Sequence, residues 1–237
     1  MRFILALKRG AMPIQLTQFL KLLTSLLVTV FIVGGAVQLL ATDPYLAFEY
    51  GKASFPPDTF GYTQQQRFIL ASTNIHYVRD HLPGDELSKQ FLNGLPVYNP
   101  REVSHMADVH AVFQSVLRIW QAALILLIVL SFILWKKGER KALASAIQSG
   151  GVVTFGLVLS IALLALVSWQ IWFNLFHRFF FEEGSWLFDY SDTLIRLFPL
   201  KFWSDATFAI TAFGLAGGLL MTLIGLLGKR VLAERQA

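Results

Sequence analysis

The chain has no cysteine. This removes disulfides, thiol nucleophiles and Cys-ligated metal sites, and leaves the redox compartment unreadable. Charge is scarce as well. Only 15% of the 237 residues are Asp, Glu, Lys or Arg, against roughly 25% in a soluble domain. Hydrophobic residues make up 55%, and the mean hydropathy is +0.55. Together these values exclude a disordered chain, an ordinary cytosolic enzyme and a nucleic-acid-binding domain. They indicate a protein that uses lipid as much of its solvent. Proline and glycine are missing from residues 101–137, so nothing there interrupts a long helix.

Four apolar runs are present, about 22–41, 116–135, 152–173 and 206–227. Each approaches the ~20 residues needed to cross a bilayer, and together they take up roughly 85 positions. Too little remains for a second large domain. The predicted fold is all-α: one integral membrane domain over 1–237, a bundle of four transmembrane helices with an exterior helical loop region. The first run is too long for the apolar core of a signal peptide, which has about 7–15 residues, and is read as a retained span.

Charge sets the orientation. The N-terminal segment carries Arg2, Lys8, Arg9 and Lys21. The loop after the second span carries Lys136, Lys137, Arg140 and Lys141, and the tail carries Lys229, Arg230 and Arg235. These 11 basic residues face only two acids, Glu139 and Glu234, whereas the other two loops hold 13 acids and 8 basic residues. Basic loops stay inside. Both termini are therefore expected in the cytoplasm, and loops 42–115 and 174–205 at the exterior. The net charge of +5 orients the chain and requires no nucleic acid. Gly34, Gly35 and Ala36, and the GxxxG spacing of Gly214 and Gly218, mark places where helices could approach closely.

The exterior loops hold the candidate chemistry. Thr63 and Gln66 fit a capping box. Phe68, Ala71, Ile75, Val78 and Leu82 then form one apolar stripe on a helix of about 19 residues, stopped by Pro83-Gly84. Asn99-Pro100-Arg101-Glu102 is a second helix start, from which one helix can run through the second span. On it, Glu102 and Asp108 each lie a turn from His105, within reach of its ring. A carboxylate there would raise the imidazole's basicity and fix its tautomer. Beyond the third span, Gln170, Asn174 and His177 make a polar stripe that lipid would not tolerate cheaply. The stripe is expected to face the bundle or a wet cavity. Asp192–Phe198 reads as a short helix stopped by Pro199, and Trp186, Tyr190 and Trp203 suit the membrane interface.

His105 lies about 16 Å before the second span and His177 about 6 Å beyond the third. A tilt, or a boundary shift of a turn or two, is needed for them to meet. The ordinary reading of a histidine at a membrane surface is a solvated side chain, and it is taken for His76, His81 and His110. Arg118 and Arg196 are read as snorkelling toward headgroups. His105 and His110 are five apart, which is not the spacing of an HExxH metal site. A bis-histidine haem would need two buried histidines on facing helices, and the adjacent acids argue against it. No metal or cofactor is expected. Ser104 and His105 point different ways on a helix and make no nucleophile–base pair.

Three stretches resemble the bacterial lipoprotein intramolecular transacylases, a family of four-span membrane proteins. They are Leu95–Val109, with its Glu-Val-Ser-His-Met-Ala-Asp-Val core, Phe173–Phe181 and Trp186–Trp203. The resemblance implies an enzyme of the bacterial cell membrane. It would move one acyl chain from the glycerol sn-2 ester of a diacylglyceryl lipoprotein to the amine of its N-terminal cysteine. The substrate would be that lipoprotein N-terminus, met in membrane lipid on the exterior face. The family's two important histidines carry over onto His105 and His177. His105 would be the general base, tuned by Glu102 or Asp108. His177 would bind the oxyanion or protonate the leaving alkoxide, with the two roles exchangeable. Asn174 and Gln170 would hold His177 or the substrate. The alternative is a non-catalytic membrane partner that binds protein or lipid through its exterior loops.

Overall fold

The structure, a computed structural model, describes residues 12–80 and 82–235. Arg2, Lys8, Arg9 and His81 lie outside the described residues. In chain order the elements are α1 (Ile14–Leu40), α2 (Asp43–Tyr50), α3 (Gln64–Arg79), β1 (Phe91–Leu92), β2 (Leu95–Pro96), α4 (Pro100–Lys136), α5 (Arg140–Val167), α6 (Trp169–Phe180), α7 (Thr193–Leu197) and α8 (Leu200–Glu234). A single 3-10 turn, Leu87–Lys89, precedes the hairpin. Helices α1, α4, α5 and α8 are long and apolar enough to cross a membrane, so the expected all-α, four-span architecture is borne out. Helix α4 runs 37 residues without interruption, as the lack of proline and glycine predicts.

The third span differs from its sequence reading. The apolar run continues to Phe173, but α5 stops at Val167. Ser168 turns extended, with φ −154° and ψ 98°, and its Oγ accepts the Ile171 amide at 3.3 Å. A serine in that conformation is a helix N-cap, so a new helix begins there. Serine also tolerates helix interiors, which is why the apolar pattern alone hides this break.

The chain groups into two compact units. One comprises residues up to Val33, Trp120–Leu157 and Gly214 onward. Its helices are joined by hydroxyls and by missing side chains. Ser25 Oγ donates to the Ala146 carbonyl at 3.0 Å, Thr29 Oγ1 to that of Gly150 at 3.3 Å, and Thr154 Oγ1 to Thr29 Oγ1 at 3.1 Å. Trp120 Nε1 donates to the Phe31 carbonyl at 3.0 Å while the two rings stack. A Cβ added at Gly151 would lie 2.5 Å from the Gly218 carbonyl oxygen. Gly218 therefore marks a helix contact, as its GxxxG spacing suggests. The outward faces stay apolar, with Ile125, Ile128 and Phe132 exposed on α4.

The second unit comprises Gly34–Ile119 and Val158–Phe213. Its core gathers Leu46, Tyr50, Ala71, Tyr77, Leu87 and Leu197. The Thr63–Gln66 capping box forms in both directions, and the whole stripe from Phe68 to Leu82 packs into this core. Helix α3 ends at Arg79 with Asp80 as its C-cap, short of Leu82, which as the residue before Pro83 is disfavoured in helical backbone. Helix α2, capped by Thr42, and the β1–β2 hairpin were not foreseen; both are too short to show a period.

Two arginines in this unit are structural. Arg67, 4% exposed, donates to the carbonyls of Arg196 and Pro56 and lies over the Tyr50 and Phe55 rings. Arg196 does not snorkel. It grips Asp58 with two hydrogen bonds, at 2.9 and 3.0 Å, and lies 3.5 Å from the Tyr62 ring centre. Burial would raise the Asp58 carboxyl, but the Arg196 guanidinium and the Tyr62 and Phe60 amides outweigh it and hold its pKa at about 2.

Gly151→Leu should force α5 and α8 apart. Overpacking costs about 1–3 kcal/mol, so the unfolding temperature of detergent-purified protein should fall by roughly 3–10 °C. Gly156→Leu, at a site where an added Cβ meets nothing within 4 Å, should change it little.

Candidate active site

The start of α4 is a reciprocal cap. Asn99 Oδ1 accepts the Glu102 amide at 3.0 Å, and Glu102 Oε2 accepts the Asn99 amide at 2.8 Å. The second oxygen, Oε1, accepts the Leu194 amide of α7 at 2.7 Å. Asn99 Nδ2 donates to Asp192 Oδ1 at 3.0 Å, and Thr193 Oγ1 to the Val97 carbonyl at 2.5 Å. The beginnings of α4 and α7 are thereby bolted together. This corrects one reading. Glu102 is 1% exposed, and both its oxygens are committed to backbone amides, so it positions helices and does not tune His105.

His105, one turn further along, is 9% exposed. Its ring sits between Phe181 and Phe188, at 5.1 and 5.4 Å. Its Nδ1 is sealed from solvent and has no hydrogen-bond partner. Asp108 is exposed. It is near enough for its charge to act on the imidazole, although it makes no hydrogen bond to it.

His177 comes from α6. Its Nδ1 lies 2.8 Å from the Phe173 carbonyl oxygen, one turn back. A carbonyl only accepts, so Nδ1 carries the hydrogen, and the neutral ring keeps its lone pair on Nε2. Burial pushes the His177 imidazole below its usual pKa, against the opposing pull of the Phe173 carbonyl. Phe173, Trp186 and Phe181 surround the ring at 4.0, 5.3 and 5.7 Å. Phe181 thus forms a wall shared by both histidines, within one compact unit. The expected axial offset presumed a third span continuous to Phe173, whereas α6 is a separate helix.

The rest of the polar stripe is arranged differently from expectation. Gln170 is exposed and Asn174 half-buried, and the atom that fixes His177 is a backbone carbonyl. Trp186 is not an interfacial anchor; it is 7% exposed and lies against His177. Tyr190 is 86% exposed. Phe181 and Phe188 were missed as site walls. The available signal was the density of aromatic residues on both sides of His177.

The other described histidines are engaged elsewhere. His110 Nδ1 pairs with the Tyr77 carbonyl. His76 lines an open cavity of about 710 Å³ with Asp43, Arg79 and Phe213. Its two ring nitrogens face Asp80 at 2.5 Å and Asp43 at 3.0 Å, so neither is free to act as a base. These carboxylates, Asp80 first, raise its pKa. Among the described residues no three His, Asp or Glu side chains converge in a way that could hold a metal ion.

Glu102→Ala should leave one buried amide, that of Leu194, and one part-buried amide, that of Asn99, unpaired. At about 1–3 kcal/mol for each, thermal unfolding should fall by several degrees. Glu102→Gln, which keeps one acceptor oxygen, should lose less.

A family model described as lipoprotein intramolecular transacylase Lit matches residues 22–203. An uncharacterized protein of Aquifex aeolicus (strain VF5) is 31% identical over 228 residues, covering 92% of this chain and 99% of that protein. The crystal structure of lipoprotein intramolecular transacylase Lit from Bacillus cereus superposes with a TM-score of 0.75 at 20% identity. It covers 94% of this chain and 99% of that one. A structure of the same protein with one histidine replaced by arginine gives a TM-score of 0.61, also at 20% identity, covering 94% of this chain and 95% of that one. These likenesses support the fold, and with the four long apolar helices they make this a multi-pass membrane protein. The chain belongs to the lipoprotein intramolecular transacylase family.

Proposed function

We propose that this protein moves one acyl chain from the sn-2 glycerol ester of a diacylglyceryl lipoprotein to the α-amine of its N-terminal cysteine. The observation that carries the reading is His177, whose Nδ1 is tied to the Phe173 carbonyl and whose Nε2 is left as a base beside His105. Nucleophile and ester belong to one substrate, so positioning supplies much of the rate. The amine, with a pKa of about 7.7–8.0, attacks the ester carbon. His177 Nε2 takes the amine's proton as the C–N bond forms. The C–O bond then breaks, and the glyceryl oxygen takes that proton back from His177.

His105 has the complementary tautomer. An unpaired lone pair is easier to bury than an unpaired N–H, so its sealed Nδ1 carries the lone pair and Nε2 carries the hydrogen. That N–H serves the leaving glyceryl oxygen. The structure thus favours the exchanged assignment of the two histidines, with His177 as base. Asp108 supplies a nearby negative charge, and Asn174 and Gln170 are left to contact the substrate. No acyl-enzyme is required, since nucleophile and ester belong to one substrate and the amine attacks the ester directly. The loop charges support cytoplasmic termini and a site at the exterior face of the cell membrane.

The test is to express the protein with a diacylglyceryl lipoprotein and take the mass spectrum of its N-terminal peptide. An N-acyl, monoacylglyceryl terminus is expected. An unmodified amine beside folded protein would overturn the reading in favour of a binding role. His105→Ala and His177→Ala should each lower the rate by about 10²–10⁴-fold without loss of membrane insertion.

The pH dependence has a defined sign. Because the His177 pKa is lowered, its acid limb should lie below the ordinary imidazole value of about 6.5. The base is present above that limb and is lost as pH falls through it. The rate profile measured between pH 5 and 8, with ~0.5-unit spacing, checks this.

A further inference from the structure

Trp186 follows α6 in the loop that closes over His177, and its indole lies 5.3 Å from that imidazole with 35° between the ring planes. Its Nε1 is sealed from solvent and has no acceptor. The planes are nearer parallel than edge-on, so the imidazole face does not receive the N–H. The hydroxyl of neighbouring Ser185 is likewise buried and unpaired. A buried donor without an acceptor costs stability. Phenylalanine would line the same wall without that cost, and Phe173, Phe181 and Phe188 do so around the same two histidines. An orphaned donor beside a reacting base is explained if its acceptor arrives with the substrate.

We propose that the Trp186 indole N–H is a hydrogen-bond donor to the acyl carbonyl oxygen of the substrate ester. This rests on the acyl-transfer reading above. As the amine nitrogen bonds to the ester carbon, the carbonyl π pair moves onto oxygen, and the resulting oxyanion accepts from Nε1–H. When the pair returns, the C–O bond to glycerol breaks and the oxygen becomes the amide carbonyl. His177 carries the proton from the amine to the glyceryl oxygen and His105 donates to that leaving oxygen, so the carbonyl oxygen is the one reacting atom that neither histidine serves. A donor fixed in a water-poor aromatic wall is suited to this task, because it need not reorganise as charge develops.

The experiment uses full-length protein in vesicles with a diacylglyceryl lipopeptide, following N-acyl product by mass spectrometry. Trp186→Phe removes the donor and keeps the ring. The expected result is a fall in kcat of about 10²-fold, KM within about threefold, and a melting temperature equal to or above that of the unaltered protein. A kcat within about threefold of the unaltered protein would overturn the proposal and leave acyl transfer standing. Absence of transfer by the unaltered protein would instead overturn the reading beneath it. If Trp186→Phe fails to fold, 3-benzothienylalanine at position 186 reads the same quantity, since sulfur replaces only the N–H. The same loss of kcat supports the donor, and full activity overturns it.

Discussion

The buried carboxyl of Glu102 is the constraint on which the site depends. A carboxyl group taken out of water must have its lone pairs met, and here the partners come from two distant stretches, the Asn99 amide and the Leu194 amide. That requirement fixes the start of α4 against the start of α7. His105 lies one turn along the first of these helices. The loop carrying Trp186 and Phe188 ends at the second. Asp192 reinforces the junction by accepting from Asn99 Nδ2 and, through its other oxygen, from the Asp189 amide. A single acidic side chain thereby locates the floor and one wall of the histidine pair without touching either ring.

The two imidazoles are differentiated by what surrounds their Nδ1 atoms. One faces a carbonyl at 2.8 Å, and the other faces no polar partner. Identical side chains thus meet different surroundings at Nδ1, a difference set by backbone and packing. The aromatic walls add a second effect. They shield the rings from water, which strengthens any dipole aimed at developing charge.

Much of this was legible in the residues. The four spans follow from apolar length, the uninterrupted α4 from its lack of proline and glycine, and the Thr63 and Asn99 helix starts from their caps. Pairing of His105 with His177 came from the resemblance, and the sequence alone left an axial gap between them. That gap rests on taking Ser168 as helix interior, since one serine looks the same in either setting. Glu102 was placed correctly on the helix but given the wrong partner. Spacing on one helix shows what is within reach, not which distant backbone amide competes for it. Arg196 and Trp186 were misjudged for a related reason. Both have the composition of interfacial residues, and only long-range packing reveals Asp58 and His177 as their neighbours.

The Ser168 break also sets a waterline. Each new helix start exposes several backbone amides, and the serine hydroxyl satisfies only that of Ile171. Hydrocarbon offers nothing to the remaining donors, so this position belongs where headgroups and their hydration begin. Helix α6 exposes Ile171, Leu175 and Phe179 along its length, the kind of apolar face that an interfacial helix rests on lipid. His177 is carried on a float rather than a pillar. Its height is referenced to the lipid surface rather than to a span.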